Sequence, residues 1–149
     1  LMDVAARVGL GQLDRLAEFN ARRHALARRY FAAFAAAGAE KLGLGLPPAN
    51  FTDTNWHMFQ VMLPEPRLKV PRAVVMEELK AAGIGSQVHY PAIHRFKLYR
   101  KLGWKDGDFP HAEYAGRNIL TIPLFPAMAD TDVDRVVGTL MTLLKRSLK

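Results

Sequence analysis

The runs GIGSQVHYPAIH, residues 83–94, and NILTIPLFP, residues 118–126, decide the fold of this chain. Each contains an apolar stretch of strand length, and each stretch ends at a proline, which has no N–H to continue a ladder. The first run also brings His89, Tyr90 and His94 into one short segment. Core packing alone does not need two imidazoles and a phenol there, and loops that follow strands commonly build ligand sites. The two runs therefore predict a small sheet with a binding site beside it.

Hydrophobic periodicity predicts helices around this sheet. We expect helices over residues 3–19, 20–36, 71–82, 95–102, 111–117 and from 130 onward, and strands over residues 56–63, 84–90 and 119–124. The order of these elements predicts an α/β (α+β) two-layer fold, in which helices cover one face of a small, three-stranded, mainly antiparallel sheet. A single domain over residues 1–149 is expected from the length.

The composition limits the function classes. The chain has 149 residues, of which half are hydrophobic, 23% are charged and none is cysteine. It can therefore bury a core, and disulfides and thiolate metal sites are excluded. No apolar stretch approaches the roughly 20 residues of a membrane span. No secretory signal is visible, so the cytoplasm is the expected location.

The net charge of +7 permits a polyanionic partner such as nucleic acid. Much of this charge lies in the run RRHALARR, residues 22–29, within a predicted helix. At helical spacing the arginines form a stripe beside apolar positions, which is the ordinary arrangement of a solvated helix face. A basic nucleic-acid-binding module is kept as an alternative, although the sequence has no helix-turn-helix spacing and no stripe of stacking aromatics.

Candidate site residues come from residues 89–94, here called the histidine loop, and from the predicted strand over residues 56–63. In an extended strand His89 and Tyr90 point to opposite faces, and Pro91 then turns the chain so that His94 can fold back over the strand end. The imidazoles can donate to an anion or move protons near neutral pH. Exposed loop histidines with Tyr90 in the core are an equally good interpretation. His57 lies in an apolar strand, where a hydrogen-bonded structural histidine is the commoner outcome.

Other kinds of site find little support in the sequence. A zinc site is disfavoured because His-x4-His is not a usual ligand spacing and no thiolate or carboxylate completes the set; no metal is expected. Residues 43–47, GLGLP, lack the Gly-Lys-Ser/Thr ending of a P-loop. Ser86 and Ser147 have no nucleophile-elbow context, so no catalytic residue is predicted within the chain.

Ordered blocks along the chain resemble a known family. They are MDVAARVGLGQL at residues 2–13, paired arginines at the start of residues 22–30, WHMF at residues 56–59, the two runs quoted above, and a terminal helix from Asp130. In this order and spacing the blocks resemble the C-terminal part of the DegT/StrS sugar aminotransferases, enzymes that use pyridoxal 5′-phosphate on nucleotide-linked keto-sugars. The resemblance covers nearly all of the chain and looks close to enzymes that aminate UDP-linked 4-keto-sugars.

The resemblance implies that the chain is the small C-terminal domain of a fold-type I aminotransferase. The full-length enzyme would be a homodimer that takes an amino group from an amino acid, with glutamate the expected donor, and passes it to a nucleotide-linked keto-sugar in polysaccharide biosynthesis. The Schiff-base lysine, the aspartate that pairs with the pyridine nitrogen and the phosphate-binding residues would lie in a large domain outside this chain. We therefore expect the fragment alone to be inactive.

By position, the resemblance places His89 and His94 near the sugar-nucleotide opening as substrate-binding residues. Tyr90 would lie beside them, and His57 would support the site from its strand. The sequence departs from common members of the family within residues 92–97, which affects the part of the loop that would contact substrate.

One alternative within the family is a catalytically degraded relative that binds sugars or regulates another protein. The presence or absence of the Schiff-base lysine in the full-length protein would separate the two. We also expect apolar surface on the first helix and around Trp56 to be exposed in this chain, because the large domain would cover it.

Overall fold

Residues 2–149 are described by a computed structural model. The described chain folds into α-helices, two strands and two single-turn 3-10 helices at Glu65–Arg67 and Ile93–Arg95. The helices are α1 (Asp3–Leu13), α2 (Leu16–Ala36), α3 (Ala39–Leu42), α4 (Arg72–Ala81), α5 (Lys97–Lys101), α6 (Pro110–Asn118) and α7 (Asp130–Arg146), and the strands are β1 (Phe59–Met62) and β2 (Ile119–Ile122). None of these helices combines the length and apolar character needed to cross a membrane.

The strands β1 and β2 form an antiparallel pair in which Phe59 lies opposite Ile122 and Gln60 lies opposite Thr121. Side chains alternate between the two faces of a strand. Phe59 and Ile122 are accordingly buried in the core, whereas Gln60 and Thr121 contact His89 on the opposite face. One face of the sheet therefore belongs to the core, and the other supports the histidine loop.

The prediction of a third strand over residues 84–90 is wrong. Within the described residues the sheet has two strands, and this segment contributes one isolated bridge. In that bridge Gln87 and Thr121 exchange both backbone hydrogen bonds, at 3.0 and 2.8 Å. An antiparallel ladder would continue two residues away on either side of this pair, and neither continuation forms.

The chemistry of the neighbouring residues explains why the ladder stops. On one side the next partner in register is Pro123, which has no backbone N–H to donate. On the other side the carbonyl of Ile119 accepts a hydrogen bond from Arg72 at 2.9 Å. The carbonyl of His89 accepts one from the side chain of Gln60 at 2.8 Å. Side-chain donors have thus taken the place of main-chain pairing at the point where the chain enters the loop.

The core lies between the sheet and the helices α2, α4 and α7. The ring of Tyr30 on α2 lies 4.8 Å from the ring of Phe59 on β1, and the Tyr30 hydroxyl donates to the carbonyl of Pro123 at 2.7 Å. Burial raises the pKa of Tyr30, so this phenol stays a donor. Helix α7 supplies a broad apolar stripe, as its periodicity predicted; its buried residues are Val133, Val136, Val137, Leu140, Met141, Leu143 and Leu144.

Helix α4 ends at a glycine in the left-handed backbone conformation, and the chain then continues toward the histidine loop. Gly83 has a φ of 73°, and its N–H bonds the carbonyl of Lys80 at 2.9 Å while the N–H of Ile84 bonds the carbonyl of Leu79 at 2.8 Å. This pair of bonds is a Schellman motif, in which a side chain at the glycine position would be strained. The predicted helix stop at Gly83 is therefore found in the structure.

The basic run on α2 is largely tied to the rest of the fold. Arg22 pairs with Asp130 at 2.9 Å, and Arg29 pairs with Asp134 at the start of α7. The guanidinium of Arg28 lies 3.9 Å from the centre of the Phe51 ring. These arginines link α2 to α7 and to the loop before β1, so they do not form the free cationic stripe that a nucleic-acid interface requires.

Two sequence expectations near the start of the chain and before β1 differ from the structure. The break between the first two helices lies at residues 14–15, not near residue 20, because the helical pattern of α2 continues toward the N-terminus. Trp56 is only 2% exposed, so the expected apolar surface around it is wrong; its ring packs 5.2 Å from Phe51 and 5.5 Å from Phe31. Helix α1 has no buried residue, and Val8 is 61% exposed, as expected.

Candidate functional site

An open cleft of about 750 Å³ lies where the histidine loop meets the sheet and helix α4. It is lined by His57, Met58, Met76, Glu77, Lys80, Gly85, Ser86, Gln87, His89, Thr121, Ile122, Pro123, Leu124 and Phe125. The lining combines apolar side chains with a few polar and cationic ones, the composition typical of a small-molecule site. The cleft contains parts of both sequence runs on which the fold prediction rested.

His89 is held in place from the sheet. Its Nδ1 lies 2.9 Å from the hydroxyl oxygen of Thr121 on β2. Its carbonyl accepts a hydrogen bond from the side-chain amide of Gln60 on β1 at 2.8 Å. The residue is partly buried and lines the cleft. Its Nδ1 has a protein partner, whereas its Nε2 has none among residues 2–149.

Tyr90 is not in the core, since 68% of its surface is exposed. The peptide bond between His89 and Tyr90 is cis. The rings of the two residues meet edge to face, with centroids 4.9 Å apart. The prediction that they point to opposite faces is therefore wrong, because strict alternation requires an extended strand and this segment pairs only at Gln87.

His57 and Lys80 bring further cationic or hydrogen-bonding groups to the cleft from other elements. His57 was expected inside a buried strand, but it is exposed on the bend just before β1, where its backbone N–H bonds Asn55 at 3.0 Å. Lys80 reaches the cleft from the exposed side of α4, beside Glu77 one turn earlier. With His89, these residues contribute nitrogen-bearing side chains to a largely apolar lining that also includes Glu77.

His94 lies outside this cleft lining and is 6% exposed. Its Nε2 is 2.9 Å from Oε1 of Glu113 on α6. The same oxygen accepts the backbone N–H of Gly107 at 2.6 Å. The Gly107 N–H and then the His94 ring lower the pKa of Glu113, so the carboxylate is ionised and Nε2 of His94 is the donor.

A cluster of His94, Asp106 and Glu113 has the residue types of a metal site, with ligand atoms within 4.8 Å of one another. Its members are already engaged with protein partners. Asp106 binds the guanidinium groups of Arg95 at 3.1 Å and Arg100 at 2.8 Å. Two arginines at the carboxylate supply the compensating charge that a cation would otherwise bring, so the cluster is an ion-pair network that joins the loop to α5 and α6.

The described residues do not by themselves form a pyridoxal-phosphate site. That cofactor requires a lysine for its Schiff base within a shielded pocket. All lysines between residues 2 and 149 are exposed, and Lys80 alone among them lines the open cleft. None of the lysines between residues 2 and 149 therefore lies in the shielded pocket that a Schiff base requires.

Sequence reasoning missed the residues that orient His89. Gln60 and Thr121 are ordinary strand residues by type, and the contact between either of them and His89 spans about 30 positions of the chain. The only signal was their position on the polar face of each strand, which a correct register would have placed opposite one another. Glu113, the partner of His94, carried no signal at all.

Comparison with known proteins gives one family. The model of the DegT/DnrJ/EryC1/StrS aminotransferase family matches residues 1–141. Among solved structures, Spr1654 of Streptococcus pneumoniae, described as a sugar aminotransferase and solved in a PLP form, superposes with a TM-score of 0.86 at 28% identity, over 100% of this chain and 37% of that one. DesV of S. venezuelae gives a TM-score of 0.75 at 31% identity, over 90% of this chain and 34% of that one.

DesI, solved in the presence of its TDP-sugar product, gives a TM-score of 0.77 at 28% identity, over 93% of this chain and 34% of that one. The chain thus spans about a third of the length of each of these proteins. The structural match extends over nearly the whole of this chain, and the family match covers all of the site residues described above. The chain belongs to the DegT/DnrJ/EryC1/StrS aminotransferase family.

Proposed function

We propose that this chain is the small, C-terminal, substrate-facing domain of a pyridoxal-phosphate-dependent sugar aminotransferase. The whole enzyme would transfer an amino group from an amino acid, glutamate, to a nucleotide-linked keto-sugar. The family match, the PLP and PMP forms of Spr1654 and the TDP-sugar product of DesI support this proposal. When bound, pyridoxal phosphate supplies the means to accept and release the amino group. A homodimer in the cytoplasm is the corresponding assembly and location.

The single observation that carries the proposal is the fixed orientation of His89 in the cleft. Thr121 holds the ring of His89 at Nδ1, and Gln60 holds its main-chain carbonyl. A side chain fixed in this way loses little conformational freedom when it binds a ligand. His57 and Lys80 lie on the same cleft and suit the negative charge of a diphosphate. The work of these side chains is to bind and orient the sugar nucleotide.

Tyr90 and His94 complete the proposed substrate-binding set in different ways. Tyr90 is exposed and in edge-to-face contact with His89, so its ring can pack against a bound sugar or base. His94 acts through the loop, because its bond to Glu113 fixes the far end of the segment that carries His89. It is thus proposed as a positioning residue.

The test is a steady-state comparison of His89→Ala with the wild type in the intact, cofactor-loaded protein. We expect the KM for a TDP- or UDP-linked 4-ketohexose to rise by about tenfold or more, since a fixed hydrogen bond to the substrate is lost. The half-reaction with glutamate should keep its rate. His111→Ala is the matched control, since His111 is exposed on α6 and outside the cleft lining. An unchanged KM in His89→Ala would contradict the proposal.

A further inference from the structure

Two residues that face each other across the sheet hold His89 independently. Gln60 and Thr121 are partners in the antiparallel register. Gln60 donates to the main-chain carbonyl of His89 at 2.8 Å, and the Thr121 hydroxyl lies 2.9 Å from its ring. The backbone of Thr121 also pairs with Gln87 two residues earlier. The main chain and the ring of His89 are therefore both held by one cross-strand pair of residues, Gln60 and Thr121.

The Thr121 hydroxyl decides which ring nitrogen of His89 carries the proton. Thr121 is 8% exposed, and its hydroxyl has His89 Nδ1 as its one hydrogen-bond partner among residues 2–149. With the proton on Nδ1, the ring would donate to the hydroxyl oxygen, and the hydroxyl proton would have no protein acceptor among residues 2–149, which is unfavourable for a residue that is 8% exposed. With the proton on Nε2, the hydroxyl donates to Nδ1 and both groups are satisfied. The network favours the Nε2–H form.

We infer that Thr121 is a positioning residue that presents Nε2–H of His89 as a hydrogen-bond donor to an oxygen of the sugar nucleotide. Nε2 has no protein partner within residues 2–149, and the ring lines the cleft. A keto, hydroxyl or phosphate oxygen accepts such a bond, whereas an ammonium group has no lone pair for it. The inference rests on the proposed function, because it takes the cleft as the sugar-nucleotide site.

The protonation form of the ring is measured directly by NMR on the intact protein with ¹⁵N-labelled histidine. The His89 signals are identified by their loss in His89→Ala. We expect the wild-type ring to carry its proton on Nε2 at neutral pH, with this form less populated in Thr121→Val than in the wild type or Thr121→Ser. A wild-type ring with its proton on Nδ1 overturns the inference, and this result does not depend on the folding of any Thr121 variant.

Kinetics provide the second measurement. Thr121→Val has nearly the shape of threonine and keeps the backbone bonds to Gln87. We expect it to raise the KM for a TDP-linked 4-ketohexose about tenfold, the loss of one well-placed hydrogen bond. The glutamate half-reaction and the melting temperature should stay near those of the wild type. Thr121→Ser should lie within about twofold of the wild-type KM. A wild-type KM in Thr121→Val overturns the inference.

Comparison with His89→Ala separates this inference from the proposed function. If His89→Ala raises the KM and Thr121→Val does not, the positioning role of Thr121 fails and the proposed function stands. If neither variant raises the KM, both fail. If both raise it and Thr121→Ser recovers it, the hydroxyl of Thr121 is the group responsible.

Discussion

His89 and His94 belong to one short loop, but they are held by different elements of the fold. His89 is attached to the sheet through Gln60 and Thr121 and lines the cleft, and its Nε2 has no protein partner within residues 2–149. His94 is buried, with its donor nitrogen bonded to Glu113 on α6. The role of each histidine therefore depends on its hydrogen-bond partners and not on its residue type or its position in the loop. One end of the loop contacts the cleft, and the other secures the loop.

The largest change in the free energy of unfolding is expected from a substitution that disrupts the close contact between the histidine loop and α6. A Cβ at Gly116 would lie 2.7 Å from the backbone nitrogen of Ala92 and 3.3 Å from the carbonyl carbon of Pro91. Since both contacts are with main chain, Gly116→Ala forces the loop away from α6. We expect a net loss of about 2 kcal/mol in the free energy of unfolding, after a gain of about 1 kcal/mol in helix propensity. Urea denaturation measures it.

Gly138 provides the matched control for this substitution. It lies within α7, and a Cβ there would meet nothing within 4 Å. Gly138→Ala should therefore be neutral or stabilise the protein by up to about 1 kcal/mol. If Gly116→Ala is as stable as Gly138→Ala, the close approach of α6 to the loop is not what holds the His94 end.

The stability contributed by Glu113, the partner of His94, should depend on pH. The N–H of Gly107 and then the ring of His94 hold the pKa of Glu113 below its usual value of 4.5. A carboxyl whose pKa is lowered by folding stabilises the native state above the unfolded pKa and loses that contribution as the pH falls through the folded pKa. The melting temperature of the wild type should therefore fall more steeply below pH 4.5 than that of Glu113→Gln.

The control for this measurement is Glu40→Gln, because Glu40 is exposed on α3. It should keep the wild-type slope throughout the acidic range. The melting temperatures of Glu113→Gln and the wild type could instead fall in parallel between about pH 6 and about pH 3. That result would show that the Glu113 contacts do not stabilise the fold.

The difference between the two ends also marks the limit of prediction from sequence. Local features were readable: the glycine stop at Gly83, the apolar stripe of α7 and the polar residues at the end of the 84–90 segment. Each depends on neighbours within a few positions. The family resemblance, which the comparisons confirm, rested on the order of such local blocks.

Features that depend on distant residues were not readable. The third strand was predicted from the apolar run at 84–90, but hydrogen bonds from Arg72 and Gln60 to main-chain carbonyls stop the ladder there. The burial of His94 depends on Glu113, a carboxylate for which the sequence carried no signal. In both cases a charged or polar side chain from another element competes with the local preference, and only tertiary structure decides the outcome.

Removal of the hydrogen bond from Gln60 to the His89 carbonyl should have a smaller effect than the changes at the His94 end of the loop. Gln60→Met keeps the length of the side chain but removes the donor to the His89 carbonyl, which then lacks its 2.8 Å partner. We expect a loss of about 1 kcal/mol in the free energy of unfolding and a rise of about twofold to threefold in the keto-sugar KM, because the Thr121 hydroxyl still fixes the ring. Gln12→Met on the exposed helix α1 is the matched control and should change neither quantity. A KM increase in Gln60→Met as large as that in His89→Ala would mean that the main chain, and not the ring contact, sets the orientation of His89.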